Sequence, residues 1–85
     1  MAALSQEFDV RRAVLIGSWA QGRHTAASDV DLLVVYAGPA RDDAYALCRR
    51  IVDVPRLEPH VYSEAEAAAA APMLARMSRG GVEIR

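Results

Sequence analysis

Two closely spaced carboxylates form the part of this sequence best suited to chemistry. Asp29 and Asp31 flank a single valine, so in an extended strand both side chains point to the same face. Two neighbouring carboxylates repel each other unless a cation or a proton neutralises them. Oxygen ligands of this kind suit Mg²⁺, which takes one or two protein carboxylates and completes its shell with water and substrate phosphate. The pair therefore predicts a magnesium site.

A Gly-Ser pair upstream supplies groups that suit phosphate. Gly17 allows a backbone conformation that is costly for other residues, and the Ser18 hydroxyl can donate a hydrogen bond and cap the residues that follow. Residues 19–21 are expected to form a short helical turn, and the free N–H groups at a helix start attract phosphate. Phosphate held there, beside a metal at the paired aspartates, is a layout for phosphoryl or nucleotidyl transfer.

Apolar runs predict the strands that position these residues. One strand is expected over residues 13–16 and another over 32–36, on either side of the Gly-Ser and Asp-Val-Asp pattern. Residues 56–62 predict a third strand with two faces. On one face lie Leu57, Pro59 and Val61, and on the other lie Glu58, His60 and Tyr62. A proline within a strand suggests an edge or a bulge.

Helices are predicted over residues 3–10, 40–53 and 63–77. The second is expected to carry Asp42 and Asp43 in its first turn and arginines in its last. The third opens on a capping box formed by Ser63 and Glu66, and Pro72 interrupts it. A short edge strand is expected over residues 82–85. We therefore predict one α/β domain spanning residues 1–85, with a small mixed sheet and helices packed mainly on one face.

The site pattern resembles a known family. The Gly-Ser pair, a ten-residue spacer and Asp29-Val30-Asp31 are similar to the signature of the polymerase-β-type nucleotidyltransferases. The short chain resembles the minimal nucleotidyltransferase branch, whose members commonly act as antitoxins paired with HEPN-domain toxins. The resemblance implies the nucleotidyltransferase fold, two Mg²⁺ ions and ATP as substrate. It also implies transfer of AMP to a protein hydroxyl, namely a tyrosine of a partner HEPN toxin.

The same resemblance implies a role for each site residue. Asp29 and Asp31 would bind both metal ions, and Gly17 with Ser18 would hold the terminal phosphates. The family needs a third carboxylate from a later strand, and Glu58 is the candidate for metal binding and for taking the acceptor proton. Aspartate is more frequent at that position, so Glu58 is a departure, although its longer side chain can still reach a metal. His60, on the same face, is interpreted as an exposed residue.

Two other functions stay open at this point. The first is an antitoxin that neutralises its toxin by contact alone, since Trp19 and Gln21 depart from a motif in which a basic residue is frequent. The second is a small-molecule nucleotidyltransferase of the antibiotic-modifying kind, although those proteins usually carry an added domain for the acceptor. A neighbouring gene for a HEPN protein would favour the protein-directed functions.

Composition narrows the classes of partner. With 85 residues and 53% hydrophobic residues, the chain is one small globular domain. A domain of this size buries only ~60% of the surface of its unfolded chain, so it should gain stability in a hetero-oligomer or dimer. Met73, Leu74 and Met77 are the expected partner surface. A formal charge of −1 argues against direct DNA binding.

Cellular location is also predicted from composition. Cys48 is the only cysteine, so no intrachain disulfide can form, and its place on an apolar helix stripe predicts a buried side chain. The first nine residues lack the basic start and apolar core of a signal peptide. No apolar run is long enough to span a bilayer. A cytoplasmic protein is therefore expected.

Overall fold

The structure is a computed structural model that describes residues 6–17, 22 and 29–84. These residues form four strands and three helices. Strand β1 is followed by β2, helix α1, β3, two consecutive helices α2 and α3, and a short strand β4. Their bounds are β1 Val10–Ile16, β2 Val30–Tyr36, α1 Ala44–Ile51, β3 Leu57–Ser63, α2 Glu64–Ala69, α3 Ala71–Met77 and β4 Val82–Glu83. None of the helices in this part is long and apolar enough to cross a membrane.

The strands form one mixed sheet in the order β3-β2-β1-β4. Strand β1 runs antiparallel to both β2 and β4, whereas β2 and β3 are parallel. The mixed sheet of the sequence prediction is therefore confirmed, and so is the short last strand. Pro59 lies on β3, an edge strand, where its missing N–H breaks no ladder between two neighbours.

One face of the sheet packs against α1. Alternate residues of β1 and β2 form this core with the apolar stripe of the helix, and Phe8 closes one end by packing its ring against Tyr36 at 5.1 Å between centroids. Cys48 lies in this core, fully buried as predicted, and burial raises the pKa of its thiol. The buried members are Phe8, Val10, Ala13, Leu32, Val34, Tyr36, Ala44, Leu47, Cys48 and Leu57.

The opposite face packs against α3 through Leu74, which contacts a second core of Val14, Ile16 and Leu33. The α/β class is confirmed, but the helices cover both faces rather than mainly one. The reason is that β1 and β2 are apolar on both sides, and strands of that kind need cover on both faces. Because Leu74 belongs to this core, it cannot serve as the expected partner contact, whereas Met73 on the same helix is exposed.

Several helix boundaries differ from the sequence prediction, and α1 also ends at Ile51 rather than at residue 53. Strand β1 already includes Val10, so a helix cannot extend from residue 3 to residue 10, and residues 1–5 lie outside the described part. Helix α1 begins at Ala44, so Asp43 precedes its first turn. The cause is a turn held by Arg41, whose backbone N–H donates to the Tyr36 hydroxyl while its guanidinium donates to the Asp43 carboxylate.

The junction between β3 and α2 carries the predicted capping box. The Ser63 hydroxyl accepts from the Glu66 backbone N–H at 3.2 Å, and the Glu66 carboxylate accepts from the Ser63 N–H at 2.9 Å. Ser63 is also fully buried.

Replacing Ser63 by alanine should therefore lower the free energy of unfolding by about 1 kcal/mol. Chemical denaturation would measure this loss. Glu66→Gln keeps both hydrogen bonds and is the control; equal losses in the two variants would contradict the capping role.

Candidate active site

Asp31 lies at the centre of the predicted site because β2 is a central strand. On one side it pairs with Ile16, the last residue of β1, and on the other side with Glu58, the second residue of β3. The sheet thus places the strand end that precedes Gly17 on one side of Asp31 and the backbone of Glu58 on the other.

Gly17 directly contacts the Asp31 carboxylate. Its φ angle is +76°, in the left-handed region that L residues with a side chain rarely adopt. A Cβ atom at this position would lie 2.6 Å from Asp31 Oδ2, well inside van der Waals contact. Glycine is therefore required both by the backbone conformation and by the space that the carboxylate occupies. Ser18, the other half of the pair, lies outside the described residues, as do Trp19 and Gln21.

His60 is a close partner of the Asp31 side chain. Its Nε2 atom is 3.3 Å from Asp31 Oδ1, and the two side chains are 28% and 31% exposed. The sequence had suggested an exposed His60. The structure instead places it partly buried beside the aspartate. The signal was present in the pattern: His60 shares a strand face with Glu58, and diagonal neighbours on adjacent strands lie within reach of a long side chain.

The Glu58 carboxylate contacts a different element. Its backbone lies opposite Asp31, yet its Oε1 and Oε2 atoms are 3.3 and 3.5 Å from the Tyr45 hydroxyl on α1. A hydrogen bond to Tyr45 is also the largest cause that raises the pKa of the Arg49 guanidinium, and attraction to Glu58 adds to it. Tyr45 itself is 45% exposed. Its contact with Glu58 depends on where α1 packs, which no local pattern reveals.

Asp29 lies just before β2, which begins at Val30. Its side chain is 67% exposed and its Oδ1 atom is 3.8 Å from Arg56 Nη1. An exposed ion pair of this kind contributes little to stability, because water screens the charges and the side chains lose freedom. Asp29 is therefore free to exchange Arg56 for another cation at small cost.

The donor set of the site fits a hard divalent cation. Asp29, Asp31 and Glu58 offer only carboxylate oxygens, the ligands that Mg²⁺ prefers. The lack of a Cβ at Gly17 lets the Asp31 carboxylate lie where a side chain at that position would project. Within residues 6–17, 22 and 29–84, no three acidic, histidine or cysteine side chains are gathered closely enough to hold a metal. The roles of Gly17, Ser18, Asp29, Asp31 and Glu58 in nucleotide and metal binding stay predictions.

Comparison with known proteins adds independent information. A family model described as a nucleotidyltransferase domain matches residues 2–76. Among solved structures, a candidate nucleotidyltransferase from Sulfolobus solfataricus is similar, with a TM-score of 0.62 and 19% sequence identity over 94% of this chain and 68% of that chain. At this identity the likeness is evidence about the fold alone, and it agrees with the α/β architecture described above. No curated protein matches the sequence.

Proposed function

The chain belongs to the nucleotidyltransferase domain family, and on that premise we propose that it is a minimal nucleotidyltransferase that transfers AMP from ATP to a protein hydroxyl. The observation that carries this proposal is the contact between Gly17 and Asp31. It brings the motif's glycine, at the end of one strand, against the motif's second aspartate, on the next. A Gly-Ser pair beside a carboxylate is suited to binding a triphosphate together with its divalent cation.

Each of these residues would have a distinct role in the proposed reaction. Asp29 and Asp31 would hold divalent cations, two Mg²⁺ ions in this proposal, with Glu58 as a further ligand. Such ions, when bound, supply positive charge that neutralises the triphosphate and favours attack by the acceptor oxygen. Gly17 and Ser18 would bind the terminal phosphates through backbone N–H groups and a hydroxyl. Glu58 would accept the proton of the acceptor hydroxyl, since a carboxylate within hydrogen-bond reach can serve as a general base.

We further propose that the acceptor is a tyrosine of a HEPN-domain toxin and that this chain acts as its antitoxin. The resemblance to the minimal nucleotidyltransferase branch supports this partner. The exposed apolar side chains at Met73, Val82 and Ile84 would offer contact area to such a partner. Leu74 is excluded from that surface because it is buried.

Transfer to the partner can be tested by mass. The protein would be incubated with its neighbouring HEPN protein, Mg²⁺ and ATP, and the intact masses of both chains would be measured. We expect the partner to gain one or more AMP units, located on a tyrosine by fragmentation, because the proposed reaction joins the α-phosphorus of ATP to the phenol oxygen and releases pyrophosphate.

The control variant is Asp42→Asn, which removes an exposed carboxylate ahead of α1, outside the proposed site. It should leave the mass gain unchanged. Neutralisation of the toxin with no mass gain, equally in the wild type and in Asp29→Asn, would contradict the enzymatic role and establish a contact-only antitoxin. Transfer to a small hydroxyl compound but not to the partner would instead favour a small-molecule nucleotidyltransferase.

A further inference from the structure

The third carboxylate of the site is held by a side chain from the other side of the sheet. We propose that Tyr45 is a positioning residue that keeps the Glu58 carboxylate at the sheet edge, and that Glu58 must leave Tyr45 before it can join Asp31 around a divalent cation. This inference rests on the proposed function, because it assumes that Glu58 is a metal ligand.

The strand geometry defines two positions for Glu58. Residues that alternate along β3 place Glu58 on the same face as His60, the face on which Asp31 lies, and the backbones of Glu58 and Asp31 are directly paired. Yet the Glu58 oxygens lie 3.3 and 3.5 Å from the Tyr45 hydroxyl on α1, and α1 packs against the opposite face. This is possible because β3 is an edge strand, around which a long side chain can reach.

Two further observations support the edge position. The Asp31 carboxylate has His60 as its neighbour at 3.3 Å, and Glu58 is not gathered with Asp31 into a three-ligand cluster in the part of the chain that the structure describes. Arg49 lies one turn along α1 from Tyr45, and interaction with Tyr45, together with attraction to Glu58, raises the pKa of its guanidinium. Tyr45 and Arg49 thus stabilise the carboxylate on the side away from Asp31.

The consequence is a competition between Tyr45 and the metal for one carboxylate. If Glu58 is free in only a fraction of the molecules, the apparent metal affinity equals the intrinsic affinity multiplied by that fraction. A partly exposed hydrogen bond to a carboxylate is worth about 1 kcal/mol, so its removal should raise metal affinity roughly fivefold. Tyr45→Phe makes this removal while keeping the ring, and because the side chain is exposed the variant should fold normally.

The test is a double-mutant cycle read by metal binding rather than by activity. Mg²⁺ and Mn²⁺ affinities would be measured by calorimetry, without nucleotide and with a non-hydrolysable ATP analogue, for the wild type, Tyr45→Phe, Glu58→Gln and the double variant. We expect Tyr45→Phe to bind Mg²⁺ roughly fivefold more tightly than the wild type. The gain should vanish in the Glu58→Gln background, because the released carboxylate is then absent.

Matched controls separate this effect from general changes in charge and packing. Tyr62→Phe removes a hydroxyl from the same strand as Glu58 and should leave metal affinity unchanged. Arg49→Gln and Arg50→Gln remove the same charge from neighbouring positions of α1, and Arg49 is attracted to Glu58 whereas Arg50 acts on Asp43. Arg49→Gln should therefore raise metal affinity more than Arg50→Gln does.

The outcomes distinguish a failure of the role proposed for Tyr45 from a failure of the proposed metal site. An unchanged or lower affinity in Tyr45→Phe, or an equal gain in the Glu58→Gln background, overturns the role of Tyr45 alone. If Asp31→Asn binds metal as tightly as the wild type, the metal site itself is misplaced and the proposed function fails with it. Absence of metal binding in every variant, Tyr45→Phe included, would overturn both.

Discussion

Replacing Asp31 by asparagine is expected to reduce nucleotidyl transfer by roughly a hundredfold or more while leaving the fold intact. Asp31 is central to the site: it pairs with the last residue of β1 and with Glu58, and its carboxylate contacts both Gly17 and His60. Asparagine has the same shape, so the packing beside Gly17 is kept. It lacks the negative charge, however, and a neutral amide cannot replace a carboxylate as a ligand for Mg²⁺.

Two measurements would check this prediction. The rate of AMP transfer should fall, and calorimetry should show loss of Mg²⁺ binding, whereas thermal unfolding should stay close to that of the wild type. Asp29→Asn is expected to have a smaller effect on the metal-free protein, because Asp29 is more exposed and its ion pair with Arg56 is long, at 3.8 Å. Retention of full activity by Asp31→Asn would remove this residue from the site.

Replacing Gly17 by alanine is expected to lower transfer by more than about tenfold and to destabilise the domain by about 1–3 kcal/mol. The stability loss comes from a φ angle of +76°, which strains any residue that carries a Cβ. The activity loss has a separate cause: the new methyl group would lie 2.6 Å from Asp31 Oδ2 and would displace the carboxylate from its place beside the turn.

A second glycine separates these two causes. Gly38 has a φ angle of +96°, but a Cβ placed there meets no atom within 4 Å. Gly38→Ala should therefore lose stability to a similar extent without losing transfer. Unfolding by denaturant and initial rates of transfer would be compared for both variants. Equal rates in Gly17→Ala and Gly38→Ala, once corrected for the folded fraction, would show that the space beside Asp31 has no bearing on the reaction.

Local patterns in the sequence predicted the strands and the capping box that begins α2. The apolar runs predicted β1 and β2, the alternation around Pro59 predicted β3 with an edge or a bulge at the proline, and the Ser63 capping box predicted the start of α2. These features depend on neighbouring residues in the chain, because period-two alternation and end caps are local properties. The resemblance carried by Gly17 and the Asp-Val-Asp motif predicted the family, and the family match confirms it.

Contacts between distant elements could not be predicted in the same way. The apolar sides of β1 and β2 do not reveal which helix covers each face, so Leu74 was assigned to a partner surface although it lies in the core. The turn that delays α1 depends on Arg41 reaching Tyr36 across five residues. Likewise, the contact between Tyr45 and Glu58 arises only once α1 is packed beside the edge strand.

Labelled ATP would test the central claim, transfer of a nucleotide, most directly. The protein, the proposed HEPN partner and Mg²⁺ would be incubated in parallel with ATP labelled at the α-phosphorus and with ATP labelled at the γ-phosphorus. We predict that only the α-label becomes bound to protein, that pyrophosphate is released in equal amount, and that Asp31→Asn shows neither. Incorporation of the γ-label, or no incorporation of either label by protein that binds its partner normally, would contradict nucleotidyl transfer.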